Sequence, residues 1–197
     1  MITDLIRDNR SCRRFDEHQR VSSQTLAGLV DLARLSASAA NLQPLRYILS
    51  NDPATNTKIF ACLQWAAYLK DWNGPGPGER PAAYIVVLND TRVSRQIDCD
   101  HGIASQSIML GARERGLAGC ILAAINHPKL NKVLEIPAEY KVLLVLAIGK
   151  PMEEAVIEQA GEDGDIRYWR DEQDRHHIPK RRLEDIIISY YTDSNVQ

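Results

Sequence analysis

The sequence lacks the motifs of the common nucleotide-binding and hydrolytic folds. Its 197 residues contain no GxGxxG after a predicted strand, no GxxxxGK[ST] and no GxSxG. The five histidines have neither HExxH nor HxxxH spacing, and the four cysteines form no CxxC, so we expect reduced thiols and no catalytic metal. No Ser/His/Asp set is suggested by position. Any chemistry must therefore come from a bound organic cofactor, for which the protein supplies binding and electrostatics.

An excess of basic charge and a long hydrophobic run are also absent. The chain has 24 Lys and Arg residues and 26 Asp and Glu residues, so its net charge of -2 does not predict a nucleic-acid-binding surface. The longest stretch without a charged residue, 116–128, is too short to cross a bilayer. Residues 1–4 lack the basic and apolar regions of a signal peptide. We therefore predict a cytoplasmic protein that binds neither nucleic acid nor membrane.

Hydrophobic residues make up 44% of the chain and charged residues 25%, which predicts a folded domain with a sizeable core. We predict a single domain over residues 1–197. Apolar periodicity predicts one helix that is capped by Ser22 or Ser23 and ends before Ser36. Further helices are predicted over 2–9, 54–69, 93–115 and 128–135, and strands over 45–49, 82–88, 119–124 and 142–148. Helices and strands alternate only loosely, which favours an α+β or α/β sandwich with a central sheet.

The last part of the chain differs in composition. Residues 151–174 contain nine acidic and two basic residues. We predict a polar arm over 151–179, followed by an amphipathic C-terminal helix over 180–190. The arm either wraps a neighbouring subunit or is a solvated surface excursion.

The first of three candidate binding segments is residues 10–15, which hold three arginines and a serine. Guanidinium groups bind phosphate through two hydrogen bonds, and a serine hydroxyl can add another. The alternative is a solvated basic face.

The second segment, residues 36–44, combines small residues with Asn41 and Gln43, whose amides can form hydrogen bonds with the edge of a planar ring. The alternative is an ordinary turn after a helix.

The third segment is Lys180-Arg181-Arg182, at the start of the predicted last helix. Cations at a helix N-terminus oppose the helix dipole, and an anion bound there would remove the conflict. The alternative is an exposed basic cap.

Taken in order, five segments resemble the FMN-dependent nitroreductase family: residues 10–15, 38–44, 102–117, 148–151 and 178–183. Each is weak alone, but their order and separation are specific. The resemblance implies a nitroreductase-like α+β sandwich, with a central, mainly antiparallel sheet flanked by helices. It also implies a homodimer with exchanged arms and two FMN sites in the interface.

The resemblance further implies the residues that bind FMN. Arg10 and Ser11 would lie toward the phosphate, and Arg13 toward the pyrimidine edge of the flavin. Lys180 and Arg182 would close on the phosphate. Three polar residues would reach the flavin bound mainly by the other subunit, namely Ser38, Asn41 and Gln43. A backbone N–H of Leu122, Ala123 or Ala124 would meet the flavin N5.

The family activity implied is NAD(P)H-dependent reduction of nitroaromatic, quinone or similar acceptors, by ping-pong hydride transfer without a catalytic side chain. Two alternatives remain open. One is a flavoenzyme of the same fold with other chemistry, such as enone reduction, dehalogenation or flavin breakdown. The other is a non-catalytic flavin-binding redox sensor whose acidic arm contacts a partner.

The sequence departs from the family pattern at Asn9, Ala37 and Leu45, where the family often has a basic residue, a proline and a tryptophan. The Pro/Gly-rich loop over 72–81, with Trp72, is predicted to roof the pocket. Cys120 falls near the predicted N5 region, where we expect an ordinary buried thiol.

Overall fold

The computed structural model describes residues 1–96 and 98–192, which form two compact units, one over Met1–Glu153 and one that begins at Glu154. The helices of the first unit are α1 (Ile2–Asp8), α2 (Ser23–Arg34), α3 (Pro53–Phe60), α4 (Asp100–Glu114) and α5 (His127–Val133). Its strands are β1 (Phe15–Asp16), β2 (Leu45–Ser50), β3 (Ala83–Asp90), β4 (Ala118–Leu122) and β5 (Tyr140–Pro151). The second unit contains β6 (Ala155–Gln159), β7 (Trp169–Arg170), β8 (His176–Lys180) and α6 (Leu183–Ile186).

The strands of the first unit form one antiparallel sheet. Its order is β1-β5-β3-β2, and β4 also pairs with β5. Val86 lies opposite Val145 on one side and Ile48 on the other, and Cys120 lies opposite Ala147. Every residue of β3 is buried, in agreement with its continuous apolar sequence. The predicted α+β fold with a mainly antiparallel sheet is confirmed.

The core lies between α2, α4 and one face of this sheet. Leu26 and Leu29 of α2 and Ile108 of α4 pack with Ile85 and other residues of alternate positions in β3 and β5. The two helices approach closely at Gly111, where a Cβ would lie 2.1 Å from Leu32 Cδ1. Helix α4, the central helix of this unit, is buried along much of its length.

Side-chain caps set the start of three helices. Ser22 Oγ accepts from Thr25 N at 3.0 Å before α2, and the side chains of Asp52 and Asn126 cap α3 and α5 in the same way. Pro53 occupies the first turn of α3, where its missing N–H costs nothing.

Two predicted helices are too long. The helix predicted over 54–69 ends at Phe60, because the following residues pair with the segment after β4. Gln64 N donates to Ala124 O, and Asn126 N donates to Cys62 O. The helix predicted over 93–115 begins only at Asp100, since a turn in which Val93 and Ser94 both donate to Asp90 O follows β3.

The predicted arm contains regular structure in the second unit. Strand β8 pairs with β6 in parallel and with β7 in antiparallel orientation. The helix predicted over 180–190 is wrong in extent: Lys180 ends β8, Arg182 is the N-cap, and α6 is only four residues long. No residue of α6 is buried, so the described part of this unit offers the helix no packing that would stabilise further turns.

Among the residues that the model describes, no helix combines the length and apolar character needed to cross a membrane.

Candidate flavin site

A cavity of about 230 Å³ lies in the first unit, beside β4. It brings together the predicted residues Arg13, Leu122, Ala123 and Ala124, which are far apart in sequence. Its remaining lining comes from Gln64, Trp65, Ala66, Ala67, Cys120 and Ile121. Four of the residues implied by the family resemblance therefore share one cavity.

Hydrogen bonds from the backbone of Arg13 and of its neighbours hold this residue at the cavity. Cys12 N donates to Gly119 O at 2.9 Å, and Ser11 forms a parallel bridge with Gly119. The N–H of Arg13 donates to the carboxylate of Glu153. Arg13 is buried, with only 8% of the residue exposed. Residues 11–13 therefore lie beside the start of β4, and Arg13 contributes one positive charge to the cavity lining.

Cys120 lines the same cavity as a buried thiol. Burial raises its pKa, although the guanidinium of Arg13 beside it acts in the opposite direction. Burial also raises the pKa of the neighbouring Cys12 to about 12, with Glu153 adding to the effect. Both thiols are therefore protonated at neutral pH, which fits the expectation of ordinary buried cysteines.

Trp65 is a cavity residue that the sequence analysis missed. Its indole Nε1 is buried and has no hydrogen-bond partner among the described residues. The backbone of Gly74, at φ +103°, packs against this ring, and a Cβ there would lie 2.7 Å from Trp65 Cδ1. The 72–81 loop therefore contacts the cavity wall through Gly74. The only signal in the sequence is a tryptophan seven residues before the start of the Pro/Gly-rich loop.

The last residue of β4 and the two residues that follow it line the cavity. Leu122 is buried at the end of the strand, whereas Ala123 and Ala124 are exposed. Ala124 O accepts a hydrogen bond from Gln64 N at 3.0 Å, which ties this segment to the chain that carries Trp65.

Ser38 and Gln43 line a different cavity of about 150 Å³, with Asp100, Tyr47 and Arg46 among its other lining residues. The buried carboxylate of Asp100 accepts from Ser38 Oγ at 2.5 Å and from Ala39 N at 2.9 Å. Ser38 Oγ in turn accepts from Gln43 N at 2.9 Å. Burial, with Asp100 nearby, raises the pKa of Tyr47 to about 12.

The amides of Asn41 and Gln43 are exposed and lie against each other, with Gln43 Nε2 donating to Asn41 Oδ1 at 3.1 Å. Ala40, Asn41 and Gln43 all have positive φ, at 47°, 54° and 51°. The loop is thus held in a strained shape that points two amide groups at solvent.

The remaining predicted residues are dispersed. Arg10 Nη2 donates to Ile6 O at 2.7 Å, while its buried Nε has no partner in the described part of the chain. Ser11 is exposed. Lys180 and Arg182 are exposed in the second unit. Arg14, which was not predicted to bind flavin, donates from Nε to Glu79 at 2.9 Å.

Within residues 1–96 and 98–192, no group of three His, Cys, Asp or Glu side chains is arranged to hold a metal ion.

The fold and the cavity together indicate the class of protein to which the chain belongs. A five-stranded antiparallel sheet is packed on a buried central helix, and an arginine near the N-terminus faces the end of β4. The nitroreductase family model matches residues 6–150, which is most of the chain. The chain belongs to the nitroreductase family.

Individual relatives are distant. The oxygen-insensitive NADPH nitroreductase of Helicobacter pylori is 26% identical over 184 residues, covering 77% of this chain and 88% of its own. A crystal structure of a nitroreductase family protein from Streptococcus pneumoniae superposes with a TM-score of 0.68 at 14% identity, covering 96% of this chain and all of that one. An FMN-dependent nitroreductase from Clostridium difficile gives a TM-score of 0.62 at 22% identity, covering 83% and 92%.

Proposed function

We propose that the protein is an FMN-dependent NAD(P)H oxidoreductase that reduces nitroaromatic, quinone or similar acceptors, in the cytoplasm. The observation that carries the proposal is the cavity that is lined by both Arg13 and residues Leu122–Ala124. The names of the relatives from Helicobacter pylori and Clostridium difficile support the activity and the cofactor, respectively.

The cavity fits one edge of an isoalloxazine ring. Arg13 and the indole N–H of Trp65 are donors without acceptor capacity, and the Trp65 donor is unpaired in the described chain. A flavin offers the complementary acceptors, N1, O2 and N5, on one planar ring. Apolar groups of Leu122, Ala66 and Ala67 supply the surface on which such a ring can lie.

The size of the cavity supports a site shared by two chains. Its volume of about 230 Å³ is below the roughly 300 Å³ at which pockets for drug-sized ligands begin. One chain therefore does not enclose a flavin by itself. The exposed amides of Asn41 and Gln43 would complete the site of a second copy, and the exposure of both supports a homodimer with FMN at its interface.

When bound, FMN supplies the redox chemistry by accepting and donating a hydride at N5. The contribution of this chain is electrostatic and steric. Arg13 places a fixed positive charge where negative charge collects when the ring is reduced, which raises the reduction potential. A backbone N–H of residues 122–124 would donate a hydrogen bond to N5. Trp65 walls the cavity and excludes water from one side.

Binding of the FMN phosphate is assigned to the basic segments. Arg10 and Ser11 precede Arg13 directly, and the buried Nε of Arg10 is an unused donor. Lys180 and Arg182 carry two further exposed cations. Hydride transfer at N5 would require no acidic or basic side chain. It would require an open face of the ring on which the nicotinamide and the acceptor stack in turn, which predicts ping-pong kinetics.

The first experiment is a visible absorption spectrum of the purified protein, with the released chromophore identified by mass. We expect FMN at about one per chain, and bleaching by NADH or NADPH without oxygen. Protein that stays colourless after FMN is added would overturn the proposal.

A panel of electron acceptors then separates the alternatives. Turnover with quinones or nitroaromatics supports the proposed activity, whereas turnover only with enones or halogenated compounds indicates another chemistry on the same fold. Bound FMN that neither nicotinamide reduces would favour a redox sensor.

A further inference from the structure

A third cavity lies in the first unit and shares no lining residue with the flavin cavity, the cavity of about 230 Å³ in which we propose that FMN binds. It measures about 60 Å³ and lies between the segment after β1, α3 and the start of β3. It has ten lining residues: Glu17, Arg20, Pro53, Asn56, Thr57, Phe60, Arg80, Pro81, Ala82 and Tyr84. None of them is among the residues proposed to bind FMN.

Two buried donors in this lining have no acceptor. Tyr84 is 1% exposed, and its hydroxyl has no hydrogen-bond partner among the described residues. The buried Nε of Arg80 is also without a partner in that part of the chain. Burial raises the pKa of Tyr84 well above its usual value, so the phenol keeps its proton at neutral pH.

Two acceptors in the lining already have donors. Asn56 Oδ1 accepts from Ser50 Oγ at 2.7 Å, while Asn56 Nδ2 donates to Ala82 O at 2.9 Å. Glu17 Oε2 accepts from Gly78 N at 2.6 Å. A ligand that satisfies the unpartnered groups of Tyr84 and Arg80 must itself accept hydrogen bonds.

The charges of the lining residues also favour a ligand that accepts hydrogen bonds, in particular an anion. Arg20 and Arg80 carry two positive charges and Glu17 one negative charge, so the lining has a net charge of +1. Its volume corresponds to about four water-sized positions, which suits a small oxyanion and is far too small for a nucleotide. Guanidinium groups and a phenol are suitable donors to such an anion.

We propose that this cavity binds one small oxyanion, of the carboxylate, phosphate or sulfate class, between Arg80, Arg20 and the hydroxyl of Tyr84.

Occupancy of this cavity is coupled to the flavin cavity through two aromatic rings. The guanidinium carbon of Arg80 lies 4.5 Å from the centroid of the Phe60 ring. That ring is 5.8 Å from the Trp65 ring, which lines the larger cavity. An anion that draws Arg80 away from Phe60 therefore alters the packing of Trp65, and the fluorescence of Trp65 reports binding.

The test uses the full-length protein saturated with FMN, in buffers where inorganic phosphate, sulfate or acetate replaces chloride at constant ionic strength. We expect at least one of these anions to raise the thermal midpoint saturably, by about 3–5 °C at a tenfold excess over its Kd. Calorimetric titration of the same anion should give one site per chain.

Four variants locate the site. Arg80→Gln and Tyr84→Phe should each weaken the response at least about tenfold, as loss of a charge-assisted hydrogen bond requires. Glu17→Gln should strengthen it, because a negative charge is removed while an acceptor oxygen for Gly78 remains. Lys58→Gln, which removes an exposed cation from the same helix outside the cavity, should leave it unchanged.

Three outcomes would overturn the proposal. In the first, no anion differs from chloride. In the second, Tyr84→Phe keeps the full response, so that the hydroxyl is satisfied by water alone. In the third, Arg10→Gln rather than Arg80→Gln abolishes the response, which would place the anion at the segment assigned to the FMN phosphate. None of these results depends on flavin turnover, so the proposed activity stands or falls separately.

Discussion

Asp100 holds Ser38 through a hydrogen bond of 2.5 Å that joins the start of the central helix to the loop after α2. Asp100 is 4% exposed, and its second oxygen accepts from Ala39 N. Ser38 Oγ also accepts a hydrogen bond from Gln43 N, so that Ser38 links Asp100 to Gln43. One buried carboxylate thus fixes the loop that carries the two amides proposed to reach a second copy's flavin.

Asp100→Asn should therefore lower both stability and flavin affinity. The amide keeps one acceptor oxygen but loses the charge, and hydrogen bonds to charged groups contribute about 1.5–3 kcal/mol each. We expect the free energy of unfolding to fall by about 1–3 kcal/mol and FMN to bind more weakly, as measured by denaturant titration and flavin fluorescence. Asp98→Asn, at an exposed position nearby, is the control. Equal losses in the two variants would contradict the positioning role.

The same loop offers a test of backbone strain. Ala40 has φ 47°, whereas Ala39 lies in the same turn without a positive φ. The left-handed conformation costs a non-glycine residue about 1–2 kcal/mol, and glycine adds about 0.4–1 kcal/mol of unfolded-state entropy. Ala40→Gly should thus raise the free energy of unfolding by about 0.5–1 kcal/mol. Ala39→Gly should lower it, and the opposite order would show that the loop adopts another shape.

The sheet and the two core helices were predictable because local patterns determine them. The apolar runs of β3 and β5 indicate buried strands, and the i, i+3, i+7 spacing of Leu26, Leu29 and Ala33 indicates the buried face of α2. The end of α3 was not predictable, since apolar periodicity continues past Phe60. The chain leaves the helix because Gln64 pairs with Ala124, sixty residues away.

The site was predictable only in part, for the same reason. The grouping of Arg13 with residues 122–124 followed from a family resemblance. Trp65 joins them through tertiary pairing, a positive φ of 44° at Ala66 and the close approach of Gly74, none of which has a local signature. The strands of the second unit were missed since β6 and β8 pair in parallel across a long polar connection.

A pH-dependent cluster stabilises the second unit. His177 Nδ1 lies 2.9 Å from Glu158 Oε2, and its Nε2 lies 3.1 Å from Asp171 Oδ2. These hydrogen bonds, to Glu158 first and then Asp171, raise the pKa of His177 above its ordinary 6.5. The bond from His177 also lowers the pKa of Glu158. Arg175 pairs with the same Asp171 oxygen at 2.7 Å.

The stabilisation by protonated His177 is fully present below pH 6.5 and is lost as the pH rises through the raised pKa. The wild-type protein should therefore lose more stability than His177→Gln between pH 5.5 and 8.5. Trp169 stacks on His177 with ring centroids 4.1 Å apart, so its fluorescence, corrected with Trp169→Phe, reports the titration directly. His18→Gln, at an exposed position, should behave as wild type. A histidine that titrates at or below 6.5 would contradict the cluster.

Gly74→Ala should disturb the flavin cavity, whereas Gly78→Ala should not. Both glycines have positive φ, +103° and +88°, so both variants carry a backbone cost of about 1–2 kcal/mol. Only the Cβ at position 74 meets another group, the Trp65 ring, while the one at 78 meets nothing within 4 Å. We expect Gly74→Ala alone to change Trp65 fluorescence and to raise the KM for the electron acceptor. Identical kinetics in the two variants would remove Trp65 from the acceptor pocket.

Variants of two adjacent arginines, Arg13 and Arg14, test flavin binding and structural support separately. Arg13 lines the flavin cavity, whereas Arg14 forms an ion pair with Glu79 in which both side chains are about one-quarter exposed. Arg13→Ala should weaken FMN binding about tenfold or more and lower the flavin reduction potential, because a charge facing the ring is removed. Arg14→Ala should leave the potential near the wild-type value and lower stability instead. Potentiometric titration with FMN in excess distinguishes these effects. Equal potentials in the two variants would mean that the flavin does not lie against Arg13, and the assignment of residues 122–124 to N5 would have to be abandoned with it.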